Sequence, residues 1–231
     1  MKNKHLLLTG GTGGLGSSVT LLALENQAYV TLPYRNYKEV ERLGQTLDSH
    51  LFNKVNFIQA DMTSEEDIGK ITHDMDKIDI LIHLVGGFSM GPTSEYALEK
   101  WQQQINLNLT STFLLCKHSL KKMYKNNYGR IVAVGSRAAV DPGAQMAAYC
   151  ASKAGVIALI KSIAAETKGT NITANVILPS IIDTPANRKT MGDQNAAKWV
   201  KPQSLAQVIC FLASEKARDM RGAAVPVYGG V

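Results

Sequence analysis

A chain of 231 residues with 45% hydrophobic and 19% charged residues has the length and balance of one medium-sized globular domain, which excludes a disordered chain and one that needs disulfides or metal to hold together. Three cysteines, Cys116, Cys150 and Cys210, odd in number and without CxxC spacing, exclude a disulfide framework and a zinc site and read as buried thiols in a reducing compartment. The net charge of +6 does not imply nucleic acid, because Lys117, Lys121, Lys122 and Lys125 recur at the spacing of a solvated helix face and no nucleic-acid-binding signature accompanies them.

The first apolar run, Leu6–Leu8, is interrupted by Thr9 and Gly10 and is too short for a signal peptide. No window approaches the length of a membrane-crossing helix, so the expectation is a cytoplasmic protein without membrane contact. HLLLT (5–9) precedes a glycine-rich turn and a helix-length segment to about Gln27. AYVTLPY (28–34) precedes a charged amphipathic stretch, and VNFIQAD (55–61) precedes the acidic SEEDIGKITHDM. IDILIHLVGG (78–87) leads through a loop into a long helical stretch ending near Tyr124. GRIVAVGS (129–136) is followed by a helix over roughly 146–168. NITANVILPS (171–180) leads to a polar loop, a helix near 203–214 and a last strand, AAVPVYG (223–229).

Seven strand candidates separated by helices predict βαβ units and one parallel sheet. Right-handed crossovers place helices on both faces. LLL, IDILI and RIVAV are nearly continuous apolar runs, as strands buried on both sides require. The expected fold is therefore α/β, a single Rossmann-type doubly wound domain over residues 1–231.

Three motifs carry chemistry. TGGTGGLG, Thr9 to Gly16, places Gly10, Gly14 and Gly16 at the first strand–helix junction, where backbone can approach phosphates and a helix N-terminus meets negative charge. A ligand-free glycine turn is the plainer alternative. YCASK puts Tyr149 and Lys153 on one helix face at i, i+4. A phenol titrates near 10, and a neighbouring ammonium would lower that value toward the working range of a proton-transfer group. Ser136 ends the fifth strand, where an open α/β sheet binds ligands, and its hydroxyl could meet a substrate carbonyl.

Taken together, these motifs make the sequence similar to the short-chain dehydrogenase/reductase family over nearly its whole length. Asp61 in ADMT, the Asn of WQQQINLNLTSTF and the segment LPSIIDTP follow in the family's order. The resemblance implies a catalytic set of Asn108, Ser136, Tyr149 and Lys153, with Asn108 holding a helix distortion and a water that links Lys153 to solvent. It implies a nicotinamide dinucleotide held by Gly10, Thr12, Gly14, Leu15 and Gly16 at the first turn, and by Asp61 and Met62 at the adenine. Val85, Gly86, Tyr149, Lys153, Pro179, Ile182 and Thr184 would surround the nicotinamide half, with Lys153 on the ribose and Thr184 on the carboxamide. No metal is implied. Tyr34 and Arg35 stand where a carboxylate would select NAD, so NADP(H) is expected in preference to NAD(H), unless Arg35 is merely a surface residue. The partners implied are a small carbonyl or alcohol substrate and further copies of the chain, as a tetramer or dimer packed through the helices near 101–125 and 146–168.

The chain departs from the family in two places. HLVG, His83 to Gly86, replaces the usual NNAG and puts its polar brace in doubt, and His83 reads as structural rather than catalytic. Pro179-Ser180 replaces the usual Pro-Gly. Trp101 reads as a helix anchor, Trp199 as either lid packing or substrate contact, and Gln145 and Met146 as cleft lining or loop packing. Two rival functions remain in the sequence. One is a dinucleotide-binding sensor without turnover; the other is a pterin reductase, because Asp183 to Trp199 also resembles dihydropteridine reductase. That relative typically lacks the serine, so Ser136 supports carbonyl chemistry.

Overall fold

The structure is a computed structural model that describes residues 1–230; Val231, the last position of the expected domain, lies outside them. The strands are β1 (His5–Thr9), β2 (Tyr29–Tyr34), β3 (Val55–Gln59), β4 (Ile80–His83), β5 (Gly129–Val134), β6 (Ile172–Pro179) and β7 (Ala224–Val227). Between the first four lie α1 (Gly16–Glu25), α2 (Tyr37–Gly44), the short α3 (Ser49–Phe52) and α4 (Glu65–Asp74). After β4 come α5 (Leu98–Ile105), α6 (Ser111–Asn126), α7 (Ala147–Glu166), α8 (Pro185–Met191) and α9 (Pro202–Leu212).

All seven strands pair in parallel, in the order β3-β2-β1-β4-β5-β6-β7. The strand alternation explains the unbroken apolar runs. Leu6 and Leu8 enter one core with Val19 of α1, Leu43 of α2 and Ile209 of α9. Leu7 enters the other with Ile68 of α4, Leu115 of α6 and Ile160 of α7. Ile80 and Ile82 of β4 join the first core and Leu81 the second, so polar residues find no solvent-facing side in these central strands.

Helix ends follow their local chemistry. The Asn36 side chain caps α2 by accepting from Lys38 N at 3.0 Å, and Ser64 caps α4 by accepting from Asp67 N at 3.2 Å. Glu65, Glu66 and Asp67 in the first turn of α4 complement its dipole. α8 and α9 each open on a proline, whose missing N–H costs nothing there.

Two expectations need correction, the length of β4 and the absence of a helix of membrane-crossing length. The run 78–87 forms only the four-residue β4; Leu84 N still reaches Thr9 O at 3.1 Å, after which the chain leaves the sheet. The long helical stretch ending near Tyr124 is present as α5 and α6, joined by a π turn at Asn106–Thr110. Finally, α7 does reach membrane-crossing length and apolarity, although 44% of its apolar window is buried within the fold, where Val156, Ile160 and Ile163 pack beneath the sheet. The lysine face of α6 is solvated as its spacing implies, with Lys117, Lys121 and Lys125 exposed. Lys117 donates to Glu65 at 2.6 Å, and Lys122 reaches the carbonyls of His73 and Met75 at 3.2 and 2.9 Å, so two of the four lysines fasten α6 to the end regions of α4.

Candidate active site

Strand order reverses between β1 and β4, since β2 lies to one side of β1 and β4 to the other. Beyond the carboxyl ends of these strands the crossovers diverge and leave a crevice. The glycine-rich turn enters it from β1. Gly10 has φ +72°, and a Cβ there would lie 3.0 Å from Val85 N, so the turn is pressed against the chain leaving β4. A Cβ on Gly14 would stand 2.9 Å from the Thr184 methyl, which brings the turn and the segment after β6 to opposite sides of a narrow space. α1 begins with no side-chain cap at Leu15, and its first turn points its N–H groups into this region. These features fit a bound dinucleotide: a cradle that side chains would fill, and an uncapped helix end for its phosphates.

The π turn positions Asn108. A π turn rotates the residues that follow by inserting one extra residue into the helical repeat, and such turns occur often at functional sites. Asn108 is buried and ties three segments together. Its Oδ1 accepts from Gly87 N at 2.9 Å. Its Nδ2 donates toward Gly87 O at 3.1 Å, Gln104 Oε1 at 3.2 Å and Ser152 Oγ at 3.0 Å. The expected helix distortion is therefore present at the expected residue, and the amide is occupied in clamping the loop after β4 to α5 and α7.

Tyr149 and Lys153 project from the first turns of α7, and Ser136 follows β5. The Ser136 hydroxyl accepts from Ala138 N at 3.1 Å. Burial raises the Tyr149 phenol's pKa, opposed in part by the Ser136 side chain. The sequence expectation was that Lys153 would lower it, and the geometry does otherwise: the Lys153 ammonium donates to Val134 O at 2.8 Å. Burial in turn lowers Lys153 to about 8. A Cβ on Gly86 would meet Asn108 Oδ1 at 2.9 Å and Lys153 Nζ at 3.1 Å, so Gly86, Asn108 and Lys153 converge as expected.

His83 has no room to act on a substrate. It is buried, and desolvation first, then the Lys153 charge, pushes its pKa down to about 3. Ser111 Oγ donates to Leu107 O at 2.7 Å, so toward His83 it accepts, from Nε2–H at 3.1 Å. That leaves Nδ1 to accept from the Thr9 hydroxyl at 2.6 Å. One neutral imidazole thus braces β1 against the start of α6 and stands in for the polar brace that HLVG put in doubt. Ser180 is accommodated too, donating to Tyr228 O at 2.6 Å.

The remaining expected contacts are placed as follows. Asp61 accepts from Thr63 N and Oγ1 at 2.8 Å each; these bonds, and then the Arg35 charge, hold its carboxyl below the usual range. Arg35 is exposed beyond β2. The Met62 side chain is buried in the core, which leaves its main chain for a ligand. Pro179 ends β6, and Ile182 O accepts from Asn187 Nδ2 at 2.8 Å. The Thr184 hydroxyl accepts from Asn187 N at 3.2 Å as the cap of α8, keeping its hydrogen to donate. Thr12 donates to Glu39 Oε2 at 3.1 Å, a contact for which the sequence held no signal. Trp199 is buried and borders a cavity of about 370 Å³ with Met191 and Gln194. Trp101 borders an apolar cavity of about 270 Å³ with Tyr96, Leu98 and Ala148. Gln145 has φ +64° and its carbonyl accepts from Gly91 N at 2.8 Å. Sequence reasoning also passed over Phe88, whose ring meets Tyr149 edge-on at 5.0 Å.

A parallel sheet with its switch point at a glycine-rich turn, and a Ser–Tyr–Lys group beyond its carboxyl edge, defines an α/β oxidoreductase that uses a nicotinamide dinucleotide. The profile of the short chain dehydrogenase family matches residues 4–195, and the chain belongs to that family of enzymes. Among its relatives, the 3-oxoacyl-[acyl-carrier-protein] reductase FabG of Rickettsia bellii is 30% identical, with 100% of this chain and 98% of the relative covered. The 3-oxoacyl-[acyl-carrier-protein] reductase MabA of Mycobacterium tuberculosis is 29% identical, with 99% and 93% covered. Among solved structures, ElxO with NADP bound superposes with TM-score 0.90 at 27% identity over 100% of this chain and 98% of the other.

Proposed function

We propose that residues 1–231 act as one dinucleotide-binding and catalytic domain that reduces a carbonyl, or oxidises the corresponding alcohol, with NADP(H) preferred to NAD(H). The observation that carries this reading is the convergence of Asn108 and a buried Lys153 on Gly86, with Tyr149 one turn before Lys153 on α7. A nicotinamide cofactor supplies the hydride acceptor or donor when bound. Gly10, Thr12, Gly14, Leu15 and Gly16 would hold its phosphates, and Asp61, Met62 and Arg35 its adenosine half. Val85, Gly86, Pro179, Ile182 and Thr184 would enclose the nicotinamide end, with Lys153 on the ribose.

In the reducing direction the substrate oxygen accepts from Ser136 and takes the Tyr149 proton as the carbon is reduced. Burial favours the neutral phenol, so Tyr149 carries its proton at neutral pH and is an acid by default. Lys153, at about 8, can return a proton near neutrality. Asn108 holds the loop and α7 in register rather than reacting itself. NADP(H) is supported by Arg35, by the lack of a carboxylate at Tyr34, and by the NADP bound to ElxO; the relatives' names support carbonyl reduction. The presence of Ser136 favours this chemistry over pterin reduction, and the complete set of four residues favours turnover over a sensor. We further propose a cytoplasmic homo-oligomer, with exposed Leu98, Trp101 and Phe113 meeting a second copy.

The test is Tyr149→Phe. Cofactor binding should persist while kcat falls at least about 100-fold, the scale of general acid catalysis. Lys153→Ala should lower activity and weaken cofactor binding together. Near wild-type turnover by the Phe variant on a confirmed substrate overturns the assignment.

A further inference from the structure

We propose that Phe88 selects the substrate, and that the substrate is a neutral carbonyl compound carrying a planar apolar group, aryl or conjugated, on its carbonyl carbon. The proposal rests on the carbonyl-reducing reading above and deepens it.

Phe88 is about half exposed, at 55%, and one exposed aromatic on a surface is ordinary. Its placement is not. The ring stands edge-on to Tyr149 at 5.0 Å and 81°, the geometry in which one ring's positive edge meets the other's negative face. The ring therefore adjoins the aromatic ring that would deliver the proton, and about half of its own surface stays open.

The loop that carries Phe88 is held at three points. Gly87 is pinned through both its N–H and C=O to the Asn108 amide, the Ser89 hydroxyl bonds the Tyr96 phenol, and Gly91 N donates to Gln145 O at 2.8 Å just before α7. The Asn108 amide that clamps α7 thus also fixes the residue next to Phe88, so this ring is a built wall of the site.

Charge, or its lack, defines what that wall accepts. From Leu84 to Ser94 there is no charged residue, and Met90 presents a second half-exposed apolar side chain. On the flanking segments Arg137 pairs with Asp141 at 3.1 Å, and Arg188 and Lys201 pair with Asp183, each at 2.6 Å. Lys153 is buried against Val134 O. A carboxylate or phosphate adjoining the carbonyl would lose its hydration beside Phe88, and the loop from Leu84 to Ser94 has no cation to offer it. A flat apolar group would gain the ring's exposed face.

The test compares reduction of acetophenone, octan-2-one and pyruvate by the NADPH-loaded protein, for wild type, Phe88→Leu and Phe88→Ala. Wild type should prefer acetophenone over either other ketone by at least about tenfold in kcat/KM, the scale of one good aromatic contact. In both variants that preference should collapse, through a rise in KM larger than any fall in kcat. A preference for pyruvate or octan-2-one in wild type, or a preference for acetophenone that survives both substitutions, overturns the proposal. Calorimetric titration of acetophenone into the NADP⁺-loaded protein, where no reduction can occur, separates the two readings. Tighter binding to wild type than to Phe88→Leu, with no ketone reduced, keeps the wall and refutes the reaction. Equal binding to both refutes the wall whatever the reaction.

Discussion

The brace at His83 makes stability depend on pH in a way that one substitution can isolate. The imidazole has an ordinary pKa of 6.5 and is pushed down to about 3 in the fold, because a proton there would be buried and would face the Lys153 charge. The unfolded chain binds that proton below 6.5, whereas the native protein refuses it until about 3. Stability from this group is therefore present above 6.5 and is lost as pH falls from 6.5 toward 3, at about 1.4 kcal/mol per pH unit. Between pH 7 and pH 5 the loss is about 2 kcal/mol by the same linkage. His83→Asn cannot take up the proton, so its stability should fall by that much less over the same interval. Urea unfolding of both proteins at pH 7 and pH 5 gives the double difference, in which every other titrating group cancels. Equal pH dependence in the two proteins would show that His83 is not held neutral and refute the reasoning.

Two further expectations follow from the site. Ser136→Ala removes the hydroxyl that acts to lower the Tyr149 pKa and should cost about 10²–10³ in kcat on a carbonyl substrate; rapid reduction of quinonoid dihydropterin that survives the change, with no ketone turnover, would favour the pterin reading instead. Arg35→Ala should weaken NADPH binding more than NADH binding, measured by fluorescence titration of each; because the Arg35 charge also acts on Asp61, an NADH affinity equal to or tighter than that for NADPH, and unchanged in the variant, would assign Arg35 to the surface.

The legible parts of the molecule are those where one physical cause acts along the sequence. Burial on both faces made LLL and RIVAV unmistakable as strands, and β1 and β5 begin where those runs predict. The end of β4 was not legible, since Leu84 and Val85 are as apolar as the strand before them, and only the packing of Gly10 against their backbone shows where the sheet stops. Hydropathy alone could not reveal the π turn, because one extra residue barely shifts an amphipathic pattern; it came through resemblance, at Asn108. The Tyr149–Lys153 spacing correctly placed both groups on α7 but misjudged their electrostatics, because the ammonium's partner, Val134 O, is nineteen residues away on a strand. Phe88 and the Thr12–Glu39 bond left no trace in any periodicity, being single side chains on irregular or exposed backbone.

The position of β4 has a consequence for the order in which the polypeptide can be assembled. β1 and β2 are close in sequence, yet the other side of β1 waits for β4, and the Thr9–His83 bond spans 74 residues. Closing so long a loop is entropically dearer than forming local βα units, although the cost rises only slowly with length, and such non-local pairings are the slow steps of folding. During synthesis, the edge of β1 that adjoins the glycine-rich turn therefore remains unpaired until about a third of the chain has been made. The crevice is completed by a strand rather than prepared for it, and a chain stalled before Ile80 would carry the phosphate-binding turn without the wall against which it is pressed.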